Sequence, residues 1–293
     1  MSINNYTRWS CAIVLLGTGV APAQVLLQDN FSTGSRSTGN LPTSAVWYSS
    51  NPTASTYVTN NSALVVSGLT GSDLGGQGIV AAFESTDNQL SLQVGQSLEL
   101  SFDYLYATTG GANFGFSFGV YNSQGSPLTA DGLSFNNSVF NAWTGYAGFG
   151  TFGPTNNAAT GQLNLAQRVT TSDSLLTPFQ SGVLGSTAQT DGLSPGTWYP
   201  ASLKLSYASS TAMVLTETIG NQSFSVTNTP TTTHFDTIAL SDDGDAIGSL
   251  EISNAEVIVI PTNAPVPEPS VWALAGLGTA LLTWHRRRQA AAK

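Results

Sequence analysis

Cysteine is almost missing from this chain. The 293 residues hold one, Cys11, and it stands at the head of an apolar run that reads as a cleaved leader. The remainder then has none, which excludes disulfide scaffolds, zinc–thiolate sites and cysteine nucleophiles. Charge is also scarce, at 9% of residues. Basic charge in the middle is scarcer still: residues 24–266 carry Arg36, Arg168 and Lys204 against sixteen acidic residues, a net of −13. Such a body repels phosphate backbones, so nucleic acid is excluded as a partner. Histidine occurs twice, at His234 and His285. His285 belongs to the C-terminal tail, so a Ser-His-Asp triad would have to rely on His234 alone, and no G-x-S-x-G is present. His234 stands among threonines and reads as a surface residue.

What is present is Gly, Ser, Thr and Asn, a composition that disfavours long helices and suits strands and turns. Residues 97–104, "SLELSFDY", alternate without a fault. Leu98, Leu100, Phe102 and Tyr104 face one way, and Ser97, Glu99, Ser101 and Asp103 the other. Residues 113–120, 202–207 and 222–227 do the same. Period-2 alternation of this length marks strands with one buried face. Turn residues separate them: Asn60-Asn61, Gly95-Gln96, Gly220-Asn221 and the acidic "SDDGD" of residues 241–245. The pattern predicts about a dozen strands in an all-β sandwich or barrel, and the fold expected is a two-sheet antiparallel β-sandwich. One short helix is expected over residues 172–180, with Asp173 as cap and Pro178 as stop.

The two ends differ from the body. Arg8 precedes a ten-residue apolar run at residues 11–20, too short to span a bilayer, and "APA" follows. Ala21 and Ala23 occupy the small-residue positions of a signal-peptidase site, so cleavage is expected before Gln24. At the other end, "PTNAPVPEP" (residues 261–269) is a stiff linker in which the prolines block both helix and sheet. The fourteen residues that follow Ser270 carry no charge, and as a helix they rise about 21 Å against a hydrocarbon core of about 30 Å. Trp272 and Trp284 bracket them as interfacial anchors. Arg286, Arg287 and Arg288 stay cytoplasmic by the positive-inside rule. The expected organisation is a signal peptide (1–23), one β-sandwich domain (24–260), a Pro-rich linker (261–270), a short transmembrane helix (271–285) and a basic tail (286–293).

Pro267-Glu268-Pro269, a short apolar helix and a terminal arginine cluster, taken in that order, resemble the PEP-CTERM sorting signal of Gram-negative bacteria. The resemblance implies that Pro267, Glu268 and Pro269 are read by exosortase, that the inner-membrane anchor is removed, and that the protein reaches the cell surface or extracellular matrix. In the body, "DNF" (29–31), "TWYPASLKLSY" (197–207) and "HFDTIALSDDGDAIGSLEISNAEVIV" (234–259) resemble concanavalin A-like jelly rolls, in which the last strand returns beside the first.

Catalytic signals are thin. Glycosidases of this fold class need two carboxylates close together on one face. Glu99 and Asp103 share a strand face, but the pattern E-x-D-x-x-E is absent, and two acids on a solvated face are the stronger reading. Glu251 and Glu256 are five apart, so an unbroken strand sends them to opposite faces. Asp242, Asp243 and Asp245 offer oxygen ligands to a structural calcium ion, yet they lack EF-hand spacing, and Asp-Gly is ordinary turn chemistry. Trp143 and Tyr146, set among glycines in residues 141–153, suit either a sugar platform or the core, the core being the stronger reading. The expectation is a non-enzymatic exported protein, with exopolysaccharide as a candidate ligand. Its alternatives are a glycan hydrolase or lyase of the same fold and a coat protein without ligand.

Mass spectrometry of the exported protein is expected to find Gln24 at the N-terminus and no peptide beyond about Ser270. Mature material that keeps Arg286, Arg287 and Arg288 would contradict removal of the tail.

Overall fold

The computed structural model describes residues 22–261, apart from residues 50–54, 60–61, 68–76, 86–87, 109–113, 134, 136, 153–161, 169–174, 176–181, 188–192 and 243–246. The expected leader and tail helices, with Ala21, Pro267, Glu268, Pro269, Arg286, Arg287 and Arg288, lie outside the described residues. So do Asp243, Asp245 and the expected helix at 172–180, apart from Leu175.

Alternation becomes strand almost everywhere it was found. The strands are β1 (Gln24–Asp29), β2 (Trp47–Ser49), β3 (Ser55–Val58), β4 (Leu64–Ser67), β5 (Gln77–Ala82), β6 (Leu90–Ser91), β7 (Gln96–Thr108), β8 (Phe114–Asn122) and β9 (Thr144–Phe152). They continue with β10 (Gln162–Arg168), β11 (Val183–Ser186), β12 (Tyr199–Ser209), β13 (Ala212–Ile219), β14 (Gln222–Asn228), β15 (His234–Phe235), β16 (Thr237–Asp242) and β17 (Ile247–Pro261). The first sheet runs β14-β13-β12-β7-β17-β4-β3, with β1 also paired to β17. The second runs β11-β10-β9-β8-β16-β5-β2, and β15 and β6 form a small third pair. All pairs are antiparallel, and the last long strand returns beside the first, Gln28 opposite Glu256. Residues Pro22–Thr262 form one compact unit.

The two large sheets close on each other through aromatic rings. Leu98, Leu100, Phe102 and Tyr104 of β7 are buried, with Leu203 and Leu205 of β12 and Val257 of β17 beside them. From the second sheet, Phe116 and Phe118 of β8 meet them: Phe102–Phe118 centroids lie 5.2 Å apart, edge to face, and Tyr104–Phe116 stack at 4.7 Å. Each such ring buries about 150–250 Å², at about 25 cal/mol per Å².

The second sheet is covered on its other face too. Leu128, Phe135, Phe140, Trp143 and Leu175 pack there with Val80, Tyr121, Ala147 and Ala239. A 3₁₀ turn at Ser138–Ala142, capped by Asn137, carries Phe140 into this layer. Arg168 clamps it, donating Nε to the Trp143 carbonyl (3.0 Å) and Nη2 to the Phe140 carbonyl (3.0 Å). The Trp143 indole N–H donates to the Ser126 carbonyl at 3.1 Å. Trp143 is therefore core. Tyr146 is core as well, its ring buried between the sheets. Neither presents a ring face to a ligand, which overturns the platform reading: a sheet buried on both faces consumes both aromatic sets.

β17 holds a second departure. Ser253 to Glu256 shift register against β7, and Asn254 takes a left-handed φ of 51°. This bulge inserts one extra residue, so Leu250, Ile252, Ala255 and Val257 all point inward while Glu251, Ser253 and Glu256 point outward. Glu251 and Glu256 thus share the outer face, contrary to the parity of an unbroken strand.

Glu217 of β13 is the anomaly of the core. It sits in the inward row with Met213, Leu215 and Ile219, is fully buried, and neither carboxylate oxygen has a hydrogen-bond partner. Its strand neighbours are Leu203 and Phe224. Across the sandwich it fills the space left by Gly148, where an added Cβ would stand 2.8 Å from the Glu217 Cδ. Burial pushes this carboxyl well above the usual carboxylate range, opposed only weakly by the backbone N–H of Asn164. The Tyr104 hydroxyl, also buried and unpaired, is pushed up chiefly by burial.

Glu217 has a direct consequence for stability. The folded chain holds a proton that the unfolded chain releases above about pH 4.3. Stability therefore falls as pH rises from there toward the folded pKa, by about 1.4 kcal/mol per pH unit from this group. Glu217→Gln keeps the shape and removes the titration. Urea melts between pH 4.5 and 7 are expected to show the wild type losing stability relative to the variant across that range. Parallel curves would show that Glu217 is ionised in the fold.

Candidate functional site

A polar cavity of about 530 Å³ opens at one end of the sandwich. Its walls come from elements far apart in sequence: Gln89 before β6, Asn122 at the end of β8, Gln124 in the next turn, Tyr207 of β12, Thr231–Thr233 before β15, and His234. None of the residues lining it is Asp, Glu, Lys or Arg.

The side chains are held by one buried carboxylate beneath them. Asp236, 2% exposed, accepts from the Ser123 N–H and the Ser123 hydroxyl, both at 2.8 Å, and from Gln89 Nε2 at 3.1 Å. Gln89 Nε2 also donates to Asn122 Oδ1 at 2.7 Å, and the Gln124 N–H donates to the same oxygen at 2.8 Å. These bonds fix which way both amides point. Asn122 is left with its Nδ2 donor and Gln89 with its Oε1 acceptor. The threonine wall is fixed from inside, where the Tyr146 hydroxyl accepts from the Thr231 N–H at 2.9 Å. Tyr146 thus supports the cavity without lining it. The result is a rigid set of neutral donors and acceptors beside one half-buried tyrosine. His234 is exposed, as expected of a surface residue, and stands at this cavity.

The outer face of the first sheet is the second place where function-bearing groups collect. Glu99, Ser101 and Asp103 of β7 lie beside Ser202 and Lys204 of β12. The bulge brings Glu256 opposite Ser101. Glu99 pairs with Lys204 at 3.8 Å, and Asp103 accepts from Asn254 Nδ2 at 2.8 Å. A shallow depression of about 310 Å³ lies among Glu99, Ser101, Asp103, Ser202 and Asn254. Glycoside hydrolysis needs one carboxyl kept protonated beside a second one that is ionised. The carboxyl that burial raises furthest, Glu217, is sealed in the core. Those on the outer face are half-exposed, two of them held by a lysine and an amide.

Sequence reasoning missed the end cavity because its residues form no motif. They are neutral, and they lie at positions 89, 122, 124, 207 and 231–234. Of the expected calcium ligands, Asp242 ends β16 and nothing of its side chain is described, while Asp243 and Asp245 lie outside the described residues. Among the described residues no group of three His, Cys, Asp or Glu side chains could hold a metal ion. No helix among them is long and apolar enough to cross a membrane.

Comparison with solved structures finds the same architecture. An endo-1,3-beta-glucanase from Streptomyces sioyaensis matches with a TM-score of 0.50 at 11% identity, over 83% of this chain and 99% of that one. The Emp47p carbohydrate recognition domain matches with a TM-score of 0.47 at 12% identity, over 80% and 94%. The VIP36 exoplasmic/lumenal domain, solved with Ca²⁺ and Man3GlcNAc, matches with 0.44 at 14%, over 78% and 89%. Identities this low speak to fold alone, and the fold is the two-sheet jelly roll that the resemblance of the body implies. No curated protein matches the chain. At the C-terminus the correspondence is one of sequence: residues 265–288 match the PEP-CTERM protein-sorting motif, which implies export and exosortase processing.

Proposed function

We propose that this chain is an exported, non-enzymatic surface or matrix protein that binds neutral polysaccharide in its end cavity. Signal peptidase would act at Ala23, exosortase at the C-terminal signal, and the sandwich would be delivered outside the cell. The observation that carries the reading is the Asp236 network. It orients Gln89 and Asn122 before any ligand arrives, and preorganised amides and hydroxyls beside a tyrosine are the chemistry that recognises sugar hydroxyls. No cation lines the cavity and the body carries −13, so uronate-rich or sulfated glycans are disfavoured. The cavity volume suits one or two sugar units, which points to a chain end or a side branch.

A hydrolase or lyase is the second reading. The bulge at Asn254, which sets Glu256 on the face of Glu99 and Asp103, is what favours it. Against it stands the lack of a desolvated acid on that face.

A glycan array with the purified protein is expected to return neutral sugars. Asn122→Ala removes one oriented amide, worth about 1.5 kcal/mol, and is expected to weaken binding roughly tenfold with the fold intact. Binding unchanged in that variant would place the site elsewhere. Sugar release that disappears in Glu256→Gln would establish the hydrolase reading instead.

A further inference from the structure

Among the described residues, the first sheet ends in a strand that lacks every usual protection. Of the other outermost strands, β2, β3 and β11 are three or four residues long, and β11 and the six-residue β1 each pair through a register shift. β14 is seven residues, pairs with β13 without a break from Gln222 to Asn228, and contains no proline and no charge. Natural edges of this length are normally blunted by lysine, proline or a bulge. The two-residue turn at Gly220-Asn221 makes Ile219–Gln222 the first hydrogen-bonded pair. Ser223, Ser225 and Thr227 therefore turn their backbone N–H and C=O groups away from β13, to the open side.

Two further observations select the occupant. Beneath this edge lies an apolar rim: half-buried Phe224 and Val226, with half-buried Leu184 and Val183, the latter 45% exposed, on the adjacent β11. Gly185 brings β11 within van der Waals reach of Phe224 and Val226. The edge is also electrically neutral. From residue 205 to residue 233 the only charged residue type is Glu217, which points inward and is fully buried. Two bodies of −13 repel wherever their acids face each other, and this hairpin is where they can approach without that repulsion.

We infer that β14 pairs antiparallel with β14 of a second copy of this chain about a twofold axis through Ser225, joining two first sheets into one. Ser225 meets its own counterpart, and Ser223 meets Thr227, so three residues on each side exchange backbone hydrogen bonds. On the outer face the hydroxyl rungs continue across the seam: Thr216 already bonds Ser225 at 2.8 Å, and Thr218 bonds Ser223 at 3.2 Å. On the inner side the Phe224, Val226 and Val183 rims of both copies close on one another. The end cavity, built from β8, β12 and the 229–234 segment, stays open, so the dimer presents two sites for a polymeric ligand.

The test is a cross-link in the full-length chain. Across a hydrogen-bonded pair the Cα atoms lie about 5.5 Å apart, within the span of a disulfide. Ser225→Cys under mild oxidation is expected to give a covalent dimer. Ala208→Cys, at an exposed position of β12, and the wild type, whose one cysteine is Cys11, are expected to give none. In sedimentation across a concentration series, the wild type is expected at twice the monomer mass. Ser225→Pro removes only an outward N–H, so it is expected to sediment as a monomer with an unchanged circular dichroism spectrum. A wild type monomeric at every concentration overturns the inference. So does equal cross-linking through Ala208→Cys, which would mark random collision, or a Ser225→Cys adduct whose mass identifies a different protein.

Discussion

The layer of aromatic rings between β7 and β8 is what the rest of the structure depends on. A chain with no cysteine after its leader and two ion pairs among its described residues must hold two sheets together by burial. Phe102 and Tyr104 from one sheet interlock with Phe116 and Phe118 from the other, edge to face and stacked. Both strands lie at the centre of their sheets, β7 between β12 and β17 and β8 between β9 and β16. The layer therefore fixes the distance and angle of everything outside it. Alternation in β7 and β8 is the requirement for it, since a slip of one residue would exchange these rings for Ser101, Asp103 and Ser117.

That same layer positions the end cavity. β8 leaves the core at Tyr121, whose carbonyl accepts from the Asp236 N–H, and Asn122 and Ser123 follow at once. β16 begins on the other side at Thr237, directly after Asp236. The carboxylate that orders the cavity is thus anchored to the two strands that carry the central rings, and the site is as rigid as the core beneath it. The N-terminal segment is tied to the second sheet by similar means. Arg36 forms a two-pronged ion pair with Asp131 and also donates to the Trp47 carbonyl at 2.7 Å, while Asp29 accepts from the Trp47 indole at 2.8 Å. Few polar groups do this work, and each is aimed at backbone or at a ring N–H.

Much of this was legible from sequence, for a physical reason. A strand whose two faces differ writes its burial as period 2, so β7, β8, β12 and β14 could be read directly, as could the turns at Gly95 and Gly220, whose left-handed φ values of 83° and 61° suit glycine. The second sheet was harder. Buried on both faces, it shows near-continuous apolar and glycine residues, so Trp143 could belong to a surface or to a core. The bulge at Asn254 left no trace, because an asparagine in left-handed backbone looks like any other asparagine in sequence, yet it reverses the parity of every residue after it. The cavity was invisible for a third reason: its chemistry is neutral, and it exists only where four distant segments meet.

Charge follows the same division. The acids that give the body its −13 are spread over loops and over the β7–β17 side of the first sheet, where Glu99, Asp103, Glu251 and Glu256 face water. The far side of that sheet, β13 and β14, shows no charge: its outward row is Val214 and hydroxyl side chains, of which Thr216 bonds Ser225 and Thr218 bonds Ser223 across the strands. A surface of mutually satisfied hydroxyls holds its water weakly compared with one of carboxylates, and it costs less to desolvate. The one carboxyl on that side, Glu217, points inward, and burial pushes it well above the usual carboxylate range. Charge is thus concentrated at one flank of the first sheet, and the other flank is neutral.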